Sequence, residues 1–94
     1  MVSKQRESCD FVCKSVGHSC VASKFVFFNE CGVMQKYMKC KGSCLVSIGA
    51  DLPVEVAEDA PRNLNPSACL YTRRPSTLSC DGSQQHIKRF CPCA

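Results

Sequence analysis

With 94 residues, ten cysteines and a formal net charge of +4, the chain is a single small domain spanning 1–94, cross-linked because its core is thin. Trp is absent, and five Phe and two Tyr are the whole aromatic supply. The charge is too mild and too mixed for a nucleic-acid reader, and no apolar run approaches membrane-spanning length.

The first eight residues hold no apolar h-region, so they are not a signal peptide. Cysteine at this density nevertheless persists mainly in oxidising compartments. The expectation is therefore a secreted or secretory-lumen chain, either a mature fragment or a domain cut from a longer precursor. Ser3 to Val16 reads as a helix, because Cys9, Val12, Cys13 and Val16 fall on one helical face. Gly17 is a natural stop. The i, i+4 spacing points Cys9 and Cys13 to the same side, toward one common partner segment. Phe25 to Phe28 is the most apolar stretch, either a short helix capped by Ser23 or a buried strand; a run this short does not decide between them. Its phenylalanines are expected in the core rather than in a surface patch.

Gln35 to Cys40 and Cys44 to Ile48 read as short strands joined by a turn at Lys41-Gly42-Ser43. Asp51 to Ser67 contains Pro53, Pro61 and Pro66, together with Asp51, Glu55, Glu58 and Asp59. That composition predicts a long exposed loop over 51–67. Asn65-Pro66-Ser67 is no glycosylation acceptor, because proline occupies its middle position. Leu70 to Thr72 and His86 to Phe90 are further short elements. The fold class expected is a small disulfide-rich α+β domain.

Candidate chemistry is sparse. Zinc sites and redox sites commonly use C-x-x-C, and the chain has none. The cysteines are therefore expected in structural disulfides, with no metal and no cofactor. His18 and His86 lie in no recognisable nucleophile motif, and His18 reads as a turn residue. No catalytic residue is assigned. Arg73, Arg74, Lys88 and Arg89 are the candidate binding residues, able to hold an anion. Cys40-Lys41-Gly42-Ser43-Cys44 and Cys91-Pro92-Cys93 resemble the ring of growth-factor cystine knots. That reading pairs Cys40 with Cys91 and Cys44 with Cys93, threads Cys9, Cys13 or Cys20 to Cys69 or Cys80, and implies a secreted signalling ligand or toxin-like protein.

A longer pattern spans nearly the whole chain: Ser8-Cys9 with Val12-Cys13, Cys20, Tyr37 three before Cys40, Cys69, Leu78-Ser79-Cys80 with Gly82, and Arg89 two before Cys91-Pro92-Cys93. It resembles the cysteine-rich C-terminal module of N-acetylglucosaminyltransferase V, the Golgi transferase that branches N-glycans. The resemblance implies the bonds Cys9–Cys91, Cys13–Cys93, Cys20–Cys80 and Cys40–Cys69, tying the N-terminal helix to the C-terminal strand. Cys31 and Cys44 are additions to that pattern, left over together, which implies a further bridge between them. The loop 51–67 is not matched, and the catalytic domain is absent from the chain. The resemblance therefore implies a non-catalytic accessory module, not an enzyme by itself. It would be a monomer that meets a protein or glycan partner, such as a catalytic glycosyltransferase domain, with no nucleic acid and no membrane.

Overall fold

The computed structural model describes residues 1–41 and 43–94. These residues form three short α-helices, α1 (Cys9–Ser15), α2 (Phe25–Phe28) and α3 (Cys31–Tyr37), and four strands, β1 (Cys44–Val46), β2 (Val54–Val56), β3 (Cys69–Tyr71) and β4 (Ile87–Arg89). The strands make one mixed sheet in the order β1-β3-β2-β4. β1 lies parallel to β3, and β2 runs antiparallel to both β3 and β4. Outside β4, Val2 pairs with Phe90, and Ser3 donates its amide to Arg89 at 2.8 Å.

Register sorts the side chains onto two faces, because successive residues of a strand point oppositely. Val54 opposes Leu70 and Arg89, and Val56 opposes Ile87. That face packs with Cys9, Val12, Cys13, Phe25 and Leu52. Glu55 opposes Cys69 and Lys88 on the other face, where Met34 and Met38 of the α3 segment meet Cys40, Cys69 and Phe90.

The disulfides are Cys9–Cys91, Cys13–Cys93, Cys20–Cys80, Cys31–Cys44 and Cys40–Cys69. Four of these are the pairs that the transferase resemblance implies, and Cys31–Cys44 joins the two cysteines that lie outside that pattern. Cys9 and Cys13 each lie 5.2 Å, Cα to Cα, from their partners two residues apart near the C-terminus. The knot pairing is not made: Cys40 bonds Cys69 and Cys44 bonds Cys31. Five disulfides place the chain in an oxidising compartment, secreted or lumenal.

Several expectations are corrected. Residues 3–8 are not helical: α1 begins at Cys9, where the Ser8 hydroxyl accepts the Phe11 amide at 3.1 Å. The helix does end as expected before Gly17, whose φ of +79° suits glycine. Phe25–Phe28 is helical, but Ser23 sits inside the preceding 3-10 turn and does not cap it; of its phenylalanines Phe25 is buried and Phe28 half-buried, while Phe27 faces solvent instead of the core. Gln35 to Tyr37 belongs to α3 rather than to a strand. Met34 and Met38, four residues apart, are both buried, so the helical period decides this segment. Of the expected turn, Gly42 lies outside the described residues.

The largest correction concerns 51–67. Its first half is the central strand β2, and residues 52–57 are all buried. Pro53 stands just before the strand, and its carbonyl accepts the Phe90 amide at 3.1 Å. Proline is tolerated there because it flanks the ladder instead of interrupting it. Only the following stretch matches the expectation, with the exposed turn at Glu58–Asp59 and the exposed 3-10 turn Arg62–Leu64.

Candidate functional site

β1 and β3 are held in step until Ser47 donates its amide to Tyr71 at 2.8 Å. A continuing parallel ladder would next join the Arg73 amide to the Ser47 carbonyl. Neither group has a backbone partner among the described residues. The two chains part, and a groove of about 530 Å³ opens between residues 46–50 and residues 72–74 with Thr77. It lies beyond the carboxyl ends of two adjacent parallel strands, a place where open sheets commonly bind ligands. Its volume falls within the roughly 300–1,000 Å³ of small-ligand sites.

Local chemistry fixes the walls. On one side, Thr72 is buried and held by the Asn29 side chain, whose amide donates to the Thr72 carbonyl at 2.6 Å while its oxygen accepts the Thr72 amide at 2.9 Å. Asn29 thus replaces a strand where β3 ends. The Thr72 hydroxyl then accepts the Arg74 amide at 3.1 Å, which turns the backbone and sends Arg73 and Arg74 out to solvent. On the other side, Gly49 has φ +155°, and a Cβ there would stand 2.5 Å from an Asp51 carboxylate oxygen. Ile48 is 97% exposed and Val46 45%. The groove therefore combines aliphatic surface, threonine hydroxyls and two guanidinium groups. No carboxylate, histidine or cysteine lines it, and neither arginine makes an ion pair among the described residues.

The four basic candidates are not brought together. Arg73 and Arg74 share this groove, while Lys88 borders a separate hollow with Lys39, Glu58 and Asp59, where charges of both signs meet. Arg89 is corrected outright: it is fully buried. Its guanidinium donates to the carbonyls of Gly82 at 2.9 Å, Leu52 at 3.2 Å and Ala50 at 3.4 Å, and sits 5.3 Å from the Phe25 ring centroid. Burial pushes its pKa below the ordinary guanidinium range, and the charges of Asp51, Asp81 and Asp10 oppose that shift. Its Nε has no partner among the described residues. Arg89 is a structural cation that joins β4 to the segment leading into β2.

Among the described residues two sulfur–carboxylate constellations occur, Asp10 beside Cys20–Cys80 and Glu55 beside Cys40–Cys69. Every sulfur in them is in a disulfide, and a metal or a nucleophilic reaction needs a thiolate. Glu55 instead supports the backbone. Its carboxylate accepts the buried Cys40 amide at 2.9 Å, where Cys40 holds a left-handed φ of +44°. His18 is exposed in the turn after α1, its amide donating to Cys13 at 2.9 Å. His86 is half-buried just before β4.

Sequence pattern singles out Arg73 and Arg74 but passes over Asn29, Val46, Ile48 and Thr72. The Val-Ser-Ile alternation at 46–48 is legible as strand, but nothing in it says that the neighbouring chain turns away at Arg73. No helix among the described residues is long and apolar enough to cross a membrane. Compared with known proteins, the chain matches no protein-family model and no curated protein.

Proposed function

We propose that the chain is a non-catalytic interaction module of the secretory pathway, equivalent to the cysteine-rich module that follows the catalytic domain of an N-glycan-branching N-acetylglucosaminyltransferase. The Golgi lumen is then its working place. Beside a catalytic domain it braces that domain or presents glycoprotein substrate; released from one, it serves as a secreted binding domain. The observation that carries the interaction reading is the groove between residues 46–50 and 72–74, which offers guanidinium, hydroxyl and aliphatic surface with no carboxylate, histidine or cysteine to activate a hydroxyl. Such a lining suits recognition, because general acid–base or nucleophilic chemistry needs a titrating group within reach of the substrate. The transferase association rests on the eight-cysteine register and on Leu78-Ser79-Cys80 and Cys91-Pro92-Cys93 within it.

The test uses the intact, oxidised chain in three assays: incubation with a nucleotide sugar and an N-glycopeptide acceptor, binding to an N-glycan array, and binding to the isolated catalytic domain of N-acetylglucosaminyltransferase V. The expected result is no sugar transfer, with retention of glycan or catalytic domain. Transfer or hydrolysis by the chain alone would overturn the non-catalytic reading. Retention of neither ligand would overturn the transferase association.

A further inference from the structure

The geometry points to an extended peptide bearing a carboxylate and an aliphatic side chain as the occupant of the groove between residues 46–50 and 72–74. This inference rests on reading the chain as an interaction module, and it names the partner chemistry of that same site.

Charge comes first. Arg73 and Arg74 are adjacent, exposed and without an ion pair among the described residues, and no carboxylate lines the groove with them. Two unpaired cations lining one groove attract an anion to it. Their planar forks match a carboxylate, which they bind with two parallel hydrogen bonds.

The backbone supplies the second argument. Past the Ser47–Tyr71 rung the parallel ladder stops, leaving the Ser47 carbonyl and the Arg73 amide without backbone partners among the described residues. An extended peptide offers an amide and a carbonyl at the spacing a ladder uses, so it can satisfy both. A sugar carries hydroxyls, but no repeating donor–acceptor pair of that spacing.

Side-chain chemistry points the same way. The apolar surface is aliphatic, from Val46 and the 97% exposed Ile48, and no aromatic ring lines the groove. Aliphatic walls bury an aliphatic side chain well, whereas a sugar ring gains most from a flat aromatic face. Acidic peptide is therefore favoured over acidic glycan.

The probe is a fluorescein-labelled pentapeptide alternating valine and glutamate, titrated with the oxidised chain and followed by anisotropy. Its counterpart alternates valine and lysine. The inference expects saturable binding of the glutamate peptide, weakened by salt, with amide NMR shifts centred on Ser47, Ile48 and Arg73. The double variant Arg73→Glu/Arg74→Glu should weaken it by about tenfold or more, the loss expected for charge-assisted bonds. Ile48→Asp is a second variant at a position so exposed that folding does not depend on it, and it should also weaken binding. Unchanged amide shifts around Cys9, Cys91 and Val54 show that the fold persists in each. Equal binding of the lysine peptide, or binding that survives both variants, would overturn the inference. So would binding of a sialylated or sulfated oligosaccharide at these residues with no binding of the glutamate peptide. If the peptide fails but glycan or catalytic-domain binding persists in the Arg73→Glu/Arg74→Glu variant, this occupant is wrong while the module reading stands. Failure of all three ligands removes both.

Discussion

Arg89 is the residue on which most backbone converges. It reaches the carbonyls of Gly82, Ala50 and Leu52 from β4, packs over Phe25, and donates its own amide to the Ser3 hydroxyl, 2.7 Å away. A buried cation without a paired carboxylate is held by such carbonyl dipoles and by the nearby acids. Arg89→Met should therefore leave three carbonyls unmet and cost about 3 kcal/mol, read as a lower urea midpoint with an unchanged slope. Its place in sequence beside Lys88 suggests a surface basic pair, because a charge next to a charge usually marks a solvated face. What withdraws it is the two-residue alternation of β4, which points Ile87 and Arg89 inward and leaves Lys88 half-buried. Asn29 is a second residue whose role no sequence pattern announces. Asn29→Ala removes both bonds to Thr72 and should cost about 1–3 kcal/mol. Amide exchange at Thr72 and at Arg74, whose amide bonds the Thr72 hydroxyl, should speed up by more than that at Val54.

At the scale of elements, the helix α1 is the most legible. Its apolar positions repeat at helical spacing, and the Gly17 stop holds. Its start falls later than the pattern suggests, because Ser3 and Arg6 bond instead to the backbone of Arg89 and Ile87 and Ser8 caps the helix, contacts that local pattern does not show. β3 is legible as a short apolar run, and β4 falls within the short element read over 86–90. β2 is not: three residues are too few to show a period, and prolines with four acids dominate the window around it. Glu55 is one of those acids, yet it is buried at 8% exposure in the middle of the sheet. Its carboxylate closes the Cys40 amide beside the Cys40–Cys69 bond, and that hydrogen bond spans 15 residues that local pattern does not connect. Glu55→Ala should cost about 1–3 kcal/mol, since a buried donor is left unsatisfied. Glu58→Ala, three residues on, should cost less than about 1 kcal/mol, since its pair with Lys41 spans 3.6 Å with both side chains 64% exposed. Thermal melts of the two variants under the same oxidising buffer compare them directly.

For the whole molecule, the disulfides set the topology and the small core completes it. Cys9–Cys91, Cys13–Cys93 and Cys20–Cys80 close loops of 82, 80 and 60 residues, so the start of the chain is fastened onto its end. Cys31–Cys44 closes only 13 residues and ties α3 to β1. Loop-closure entropy counts over the loop that the remaining bridges leave open. Replacing Cys31 and Cys44 by alanine should cost about 3 kcal/mol, whereas the loop term for replacing Cys9 and Cys91 should be smaller, because Cys13–Cys93 still fastens the same two ends. Guanidinium unfolding of the two double variants compares the losses directly. The ten cysteines are legible at once as a disulfide frame. Spacing alone leaves its connectivity open, because cysteines far apart in sequence meet only through the fold, and only a resemblance supplies the pairs. The groove is still less legible, because it exists where two strands stop pairing. Sheet order and groove both depend on the frame, so the most direct measurement is disulfide mapping by proteolysis and mass spectrometry without reduction. Peptides joined through Cys9–Cys91, Cys13–Cys93, Cys20–Cys80, Cys31–Cys44 and Cys40–Cys69 are the predicted result. Peptides joined through Cys40–Cys91 and Cys44–Cys93 would contradict it, and with it the sheet order and the groove.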